Sequence, residues 1–199
     1  VIESNDSIRL VTSGIRFIYV TNNTHSDYVP HPPVDSSKAI LINNVIGGTP
    51  AVILKKDLFF QVGGFDENLG ARQDYDMWIR CAQKTKIGNV PEPLIISYDY
   101  FDPQKISNNT SKHIKSCEIM EEKYKDLYKK LSDKENRLRK YNFSISISKK
   151  ALRNNEKSLV RKYSFNALKN RFSITPLILI FLSAFKYSLV LKVKNTVFK

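Results

Sequence analysis

Val62-Gly63-Gly64-Phe65-Asp66-Glu67-Asn68-Leu69, followed two residues on by Arg72-Gln73-Asp74-Tyr75-Asp76-Met77-Trp78-Ile79-Arg80, decides how this chain is read. It spells a helix stop, a tight glycine turn, an acidic loop and a new helix that opens on a carboxylate. Asp57 is placed to cap a short helix running through Phe60 and Val62, and Gly63 or Gly64 supplies the left-handed conformation that ends it. From Tyr75 the apolar residues fall at Tyr75, Trp78, Ile79 and Ala82, the spacing of a helix with one buried face. Trp78 and Ile79 are therefore expected in the core. Asp74 falls at or just before the first turn, where free amide groups and the helix dipole favour an ionised carboxylate. On the local pattern alone, the commonest use of such an Asp is as an N-cap. Facing a cleft, it would instead meet the need of a general base. Asp76 and Arg80 stand four apart, a pair that braces a helix.

These residues resemble the acceptor-side motif of the GT-A-fold, family-two inverting glycosyltransferases, the sugar transferases of bacterial capsule, O-antigen and cell-wall assembly. The resemblance takes in Asn44-Val45-Ile46-Gly47-Gly48-Thr49 upstream and Val90-Pro91-Glu92-Pro93-Leu94 downstream, roughly Asn43 to Ser107, and more loosely the tail. It implies that Asp74 is the catalytic base, with Gln73, Arg72, Gly47, Gly48 and Thr49 as substrate-binding candidates. It also implies a nucleotide-sugar donor, a glycan or lipid-linked glycan acceptor, and a divalent metal (Mn or Mg) on the leaving diphosphate. Asp74-Tyr75-Asp76 spells the Asp-x-Asp by which this family holds that metal. The motif belongs at the end of an aliphatic strand, however, and Gly70-Ala71-Arg72-Gln73 precedes it here, so no metal ligand is assigned. The sequence offers neither the family's opening strand nor an Asp-x-Asp after a strand. The donor half and most metal ligands are thus expected outside this chain, which leaves an inactive remnant of a split gene as the alternative.

The charge divides the chain in two. Residues 1–100 hold 9 Lys/Arg against 11 Asp/Glu, whereas residues 101–199 hold 23 against 8. The basic half calls for a polyanionic partner, an anionic membrane surface or nucleic acid. Its cations mix with Leu, Ile and Val rather than with the aromatics of a reading motif, which disfavours nucleic acid. The apolar segment 174–193 is interrupted by Pro176, Ser183, Lys186 and Ser188, and reads as interfacial or as packing rather than as a membrane span. The expected location is cytoplasmic, peripheral on the inner face of the bacterial plasma membrane. Two cysteines make no disulfide framework, and Cys81 is expected as a buried thiol.

The fold expected is α/β, a partial GT-A-like mixed sheet over residues 1–107 followed by a basic helical region over 108–199. Strands are predicted at Ile8–Val11 and Ile15–Val20, split by Ser13-Gly14, and at Ala51–Leu54, Lys86–Val90 and Leu94–Tyr98. Thr21 to Ser37 reads as a loop, Gly47-Gly48-Thr49-Pro50 as a turn, and Lys112–Leu131 and Ser148–Asn170 as helices.

Overall fold

A computed structural model describes residues 7–20, 23–99 and 109–187. The chain divides into two compact units, Val1–Phe101 and Asp102–Lys199. The first is mixed α/β and the second helical, so the expected fold class holds at that level. The boundary expected at residue 107 lies outside the described residues.

The first unit is built on one strand, β1 (Ile8–Tyr19). Along one edge it pairs in parallel with β4 (Lys86–Asp99). Along the other it pairs antiparallel with β2 (Thr24–Tyr28) near its C-terminal end and with β3 (Val52–Leu54) near its start. Leu10 to Ile15 form an unbroken buried run, as expected for a strand flanked on both edges and covered on both faces. Two predicted breaks are corrected here. Ser13-Gly14 does not divide β1, and Pro91 to Pro93 does not divide β4. Both mark a shared irregularity, where the register slips from Ser13–Val90 to Gly14–Pro93. Two prolines cannot donate to a ladder, so β4 skips residues there. A Cβ on Gly14 would lie 2.9 Å from Val29 Cγ2 and 3.0 Å from both the Glu92 carbonyl and Pro93 Cα, so only glycine lets the strands approach.

Thr21–Ser37 was expected to be a loop, yet it contains β2. Every residue of β2 is exposed and polar or aromatic, which hid the strand from a hydrophobicity reading. Cross-strand pairing holds it instead: Arg16 donates from Nε and Nη2 to the two carboxylate oxygens of Asp27, each at 2.8 Å.

Short helices α1 (Ala39–Ile42) and α2 (Lys56–Gln61) precede α3 (Gln73–Ala82). Asp57 does not cap α2; Lys55 holds the N-cap position, and Asp57 sits in the first turn, paired with Arg9 at 2.9 Å. The core gathers Leu10, Ile40, Ile46, Leu58, Leu69, Met77, Trp78, Ile79 and Ile87, all essentially inaccessible.

The second unit comprises α4 (Thr110–Lys123), α5 (Lys125–Tyr128), α6 (Asp133–Arg153), α7 (Lys157–Asn170) and α8 (Ile174–Leu182). The helix expected over Lys112–Leu131 breaks at Tyr124, and the one expected over Ser148–Asn170 breaks at Asn154–Glu156. At the second break Asn155 adopts φ +58°, Glu156 N–H bonds to Ala151 O at 2.9 Å, and Asn155 N–H bonds to Leu152 O at 3.1 Å. That double bond pattern is a Schellman stop with Asn in the left-handed position. Ile145, Ala151, Leu152, Val160, Ala167 and Leu179 form the core of this unit. No helix among the described residues is long and apolar enough to cross a membrane.

Candidate active site

The start of α3 is set by a residue that carries no helix-start signal. Arg72, not Asp74, occupies the N-cap position, in the left-handed region at φ +63° and with no side-chain cap bond. Asp74 is therefore the second residue of the helix, and the N-cap reading is corrected. Its Oδ1 accepts from the Tyr75 amide at 2.7 Å. Burial pushes the Asp74 carboxyl up, against the lowering effects of that hydrogen bond and of the Arg72 charge. The expectation that the helix start simply favours the ion is thus reversed in direction: desolvation wins. For a base this is favourable, since a proton acceptor gains strength as its pKa rises toward the working pH.

Four residues on, and so on the same face of α3, Trp78 points its indole into the core. Its Nε1 donates to the Gly47 carbonyl at 3.0 Å. The Gly47 loop is fixed from its other side as well. Asn44 Oδ1 accepts from the Ile46 and Gly47 amides at 3.2 and 3.0 Å, Asn44 Nδ2 donates to Gly47 O at 3.1 Å, and Thr12 Oγ1 donates to Ile46 O at 2.7 Å. Thus the structure ties Gly47 to α3 through Trp78, one helical turn after Asp74. Tyr75 adds a further tie, its hydroxyl donating to Ile40 O at 2.7 Å.

Gly47 and Gly48 differ in kind. Gly47 has φ +104°, and a Cβ there would approach Tyr28 Cε1 to 3.2 Å, so the backbone itself demands glycine. Gly48 has an ordinary extended backbone at φ −88°, ψ 155°, and a Cβ would meet Pro50 Cδ only at 3.7 Å. Nothing in the fold requires glycine at 48. Thr49 and Pro50 then open a single 3-10 turn, Thr49–Ala51, as the turn expectation had it.

The other candidates have structural duties. Gln73 Nε2 donates to Leu69 O at 2.8 Å, which pins the acidic loop to the helix start. The Arg72 guanidinium lies 5.8 Å from the Tyr75 ring centroid. Asp76 is fully buried, and its Oδ2 accepts from Arg80 Nε at 3.1 Å and Nη2 at 2.7 Å. Arg80 also donates to the Val62 and Gly64 carbonyls, the latter at 2.6 Å. Gly63 and Gly64 both have positive φ, so Arg80 clamps the left-handed turn onto α3. The Asp76–Arg80 pair is the one expected from their spacing, whereas Arg80's reach to the carbonyls of the glycine turn is what sequence reasoning missed.

Residues fitting a metal are not gathered here. Asp76 is committed to Arg80, and among the described residues no three His, Cys, Asp or Glu side chains cluster as ligands.

Comparison with known proteins bears on this geometry at a coarse level. The chain is 27% identical over 127 residues to a protein of Haemophilus influenzae named an uncharacterized glycosyltransferase, a match covering 62% of this chain and 43% of the relative. The chain therefore spans less than half the length of that relative. The similarity supports a glycosyltransferase relationship and a transferase-like enzyme. No protein-family model matches the sequence, and no solved structure matches it.

Proposed function

We propose that this chain carries the acceptor side of an inverting, GT-A-like glycosyltransferase of bacterial surface-polysaccharide assembly. It would move a sugar from a nucleotide-sugar donor to a hydroxyl of a glycan or lipid-linked glycan. The observation that carries the reading is Asp74. It is a carboxylate at the start of α3, raised in pKa by burial, on the face that Trp78 ties to the Gly47-Gly48 loop.

In the proposed step the acceptor oxygen attacks the anomeric carbon of the donor sugar from the side opposite the diphosphate. The new carbon–oxygen bond forms as the bond to the phosphate oxygen breaks, and that oxygen keeps the electron pair. The acceptor proton passes to Asp74, and the anomeric centre inverts. Gly48 and Thr49 form the wall along which the acceptor lies, with Arg72 and Gln73 at its edge. The donor pocket and a divalent metal, Mn or Mg, belong to residues beyond those described, and no step here runs through the metal.

The test is Asp74→Asn in a preparation that binds both donor and acceptor. General-base loss should lower kcat by about 100-fold to 10,000-fold while the fold is kept. Near-wild-type turnover by a folded Asn variant would end the assignment.

A further inference from the structure

Helix α8 has two apolar faces, and only one of them is used inside its unit. Leu179 is buried in the α6–α7 core, and Leu182 packs against that core. On the other side Ile174, Leu177, Ile178 and Phe181, spaced one or three residues apart, remain 40–66% exposed, and Phe185, just past the end of the helix, is 39% exposed. Phe172, just before the helix, is 83% exposed. The stripe is continuous, and the Phe181 and Phe185 rings pack edge to face at 5.4 Å between centroids.

This face is fixed at both ends. Before the helix, the hydroxyls of Ser173 and Tyr141 share a hydrogen bond of 2.7 Å. After it, Lys157 Nζ donates to Ala184 O at 3.0 Å, and Ser183 is buried with Arg161 Nε at 3.4 Å from its hydroxyl. The exposure therefore belongs to a held helix, and it is large for a protein surface otherwise rich in charge.

Cations flank the stripe at both ends. Arg161 and Lys186 stand at the C-terminal end of α8, and Lys169 and Arg171 precede its N-terminal end, all exposed. Arg171 also lines a recess of about 440 Å³ with Lys134, Arg137, Leu138, Asn170 and Asp133. Three cationic side chains against one carboxylate give that recess a surplus of positive charge, and the Arg171 guanidinium lies 5.6 Å from the Tyr141 ring centroid. The residue after Arg171 is Phe172, so the cationic recess and the apolar stripe are contiguous in the chain.

We infer that the α8 face is a membrane-docking surface: Phe172, Ile174, Ile178 and Phe181 enter the acyl boundary of an anionic bilayer while Lys134, Arg137 and Arg171 hold lipid phosphates at headgroup level. An apolar stripe bordered by cations is complementary to an anionic leaflet and to little else. Neither element alone anchors strongly, and the two act together. The inference is independent of the chemistry read at Asp74. It accounts for a charge surplus confined to the second half of the chain.

The test uses the 199-residue chain and flotation with phosphatidylglycerol-containing vesicles, with pure phosphatidylcholine vesicles as control. Binding is expected to the former alone and to weaken as salt is raised. Lys134→Gln with Arg137→Gln should weaken it roughly 30-fold, two charges at about fivefold each. Phe172→Ser with Phe181→Ser should lower it at least about tenfold, with an unchanged circular-dichroism melt because both rings are exposed. A second measurement places an environment-sensitive fluorophore on Ile178→Cys. Cys81 and Cys117 are buried, and the Cys81 thiol is pushed up to about 11, so labelling is directed to residue 178. A blue shift on anionic vesicles is the expected result. Absence of that shift, equal binding to both vesicles, or retention by duplex DNA or RNA without vesicle binding would overturn the inference. So would a dimer in light scattering that dissociates in the Phe172→Ser, Phe181→Ser variant.

Discussion

The indole nitrogen of Trp78 donates to the carbonyl of Gly47 at 3.0 Å, with the ring fully buried. One bond thus joins the helix that carries Asp74 to the glycine loop 31 residues earlier in the chain. The Gly47 carbonyl also accepts from Asn44 Nδ2, and Gly47 itself is in the left-handed region. The loop conformation and the orientation of α3 are therefore set together.

Trp78→Phe should expose that coupling. It keeps an aromatic ring but removes the donor, so a buried carbonyl loses one partner and a small void opens. The expected cost is about 2 kcal/mol. Trp78 is the only tryptophan, so unfolding must be followed by circular dichroism. A midpoint unchanged in urea would mean that the indole bond contributes nothing to loop position.

The Asp76–Arg80 clamp predicts a different signature. Asp76 is fully buried and Arg80 is 20% exposed, so replacing Asp76 by Asn leaves a charged guanidinium with only carbonyl partners. Asp76→Asn should destabilise the first unit by about 3 kcal/mol, the lower part of the range for broken buried pairs. Arg80→Lys should cost a similar amount, because an ammonium cannot span Asp76, Val62 O and Gly64 O at once. Turnover per folded molecule should stay close to wild type in both. A large loss of kcat with normal stability would show that Asp76 belongs to the chemistry.

How much of this was legible differs from element to element. The 3.6-residue spacing from Tyr75 to Ala82 placed α3 and its buried Trp78 and Ile79, because amphipathic packing leaves a periodic trace. The glycine turn was legible for a similar reason, since positive φ selects residue type. β2 left no trace, because Thr24 to Tyr28 is held by cross-strand bonds such as Arg16–Asp27 and not by burial. The start of α6 did leave a signal that went unread. Ser132 and Glu135 form a reciprocal capping box, with the Ser132 amide donating to Glu135 Oε2 at 2.9 Å. The site itself was legible only as residue types. That Arg72 would take the left-handed cap, and that desolvation would outweigh the helix start at Asp74, depends on how the folded chain buries this helix start and leaves no periodic trace.

Gly47 and Gly48 separate structure from function experimentally. Gly47→Ala forces an alanine into φ +104° with a contact of 3.2 Å to Tyr28 and should destabilise the unit by about 1–3 kcal/mol. Gly48→Ala meets only an ordinary 3.7 Å contact and should leave the melt within about 0.5 kcal/mol of wild type. If the acceptor lies along this loop, Gly48→Ala should nevertheless raise the acceptor KM by roughly tenfold or more, as a methyl group enters its path. An unchanged KM would move the acceptor away from residues 47–49.

The last prediction concerns the ionisation of Asp74. Burial raises its folded-state pKa above the unfolded value, so the native state holds the proton more tightly than the unfolded state does. The sign follows: this group's contribution favours folding below the unfolded pKa, and that benefit is lost as pH rises through the folded pKa. At neutral pH the ionised, half-buried carboxylate is a cost to the native state. Asp74→Asn should therefore be as stable as wild type or more so at pH 7, with the difference shrinking in mild acid. Activity should run the opposite way, since only the ionised form accepts a proton. The acidic limb of kcat/KM should titrate above the ordinary Asp range, and in Asp74→Asn the residual rate should lose that limb. A variant that is both less stable at pH 7 and unaltered in its pH profile would make Asp74 a structural residue and return the search for the base to another carboxylate.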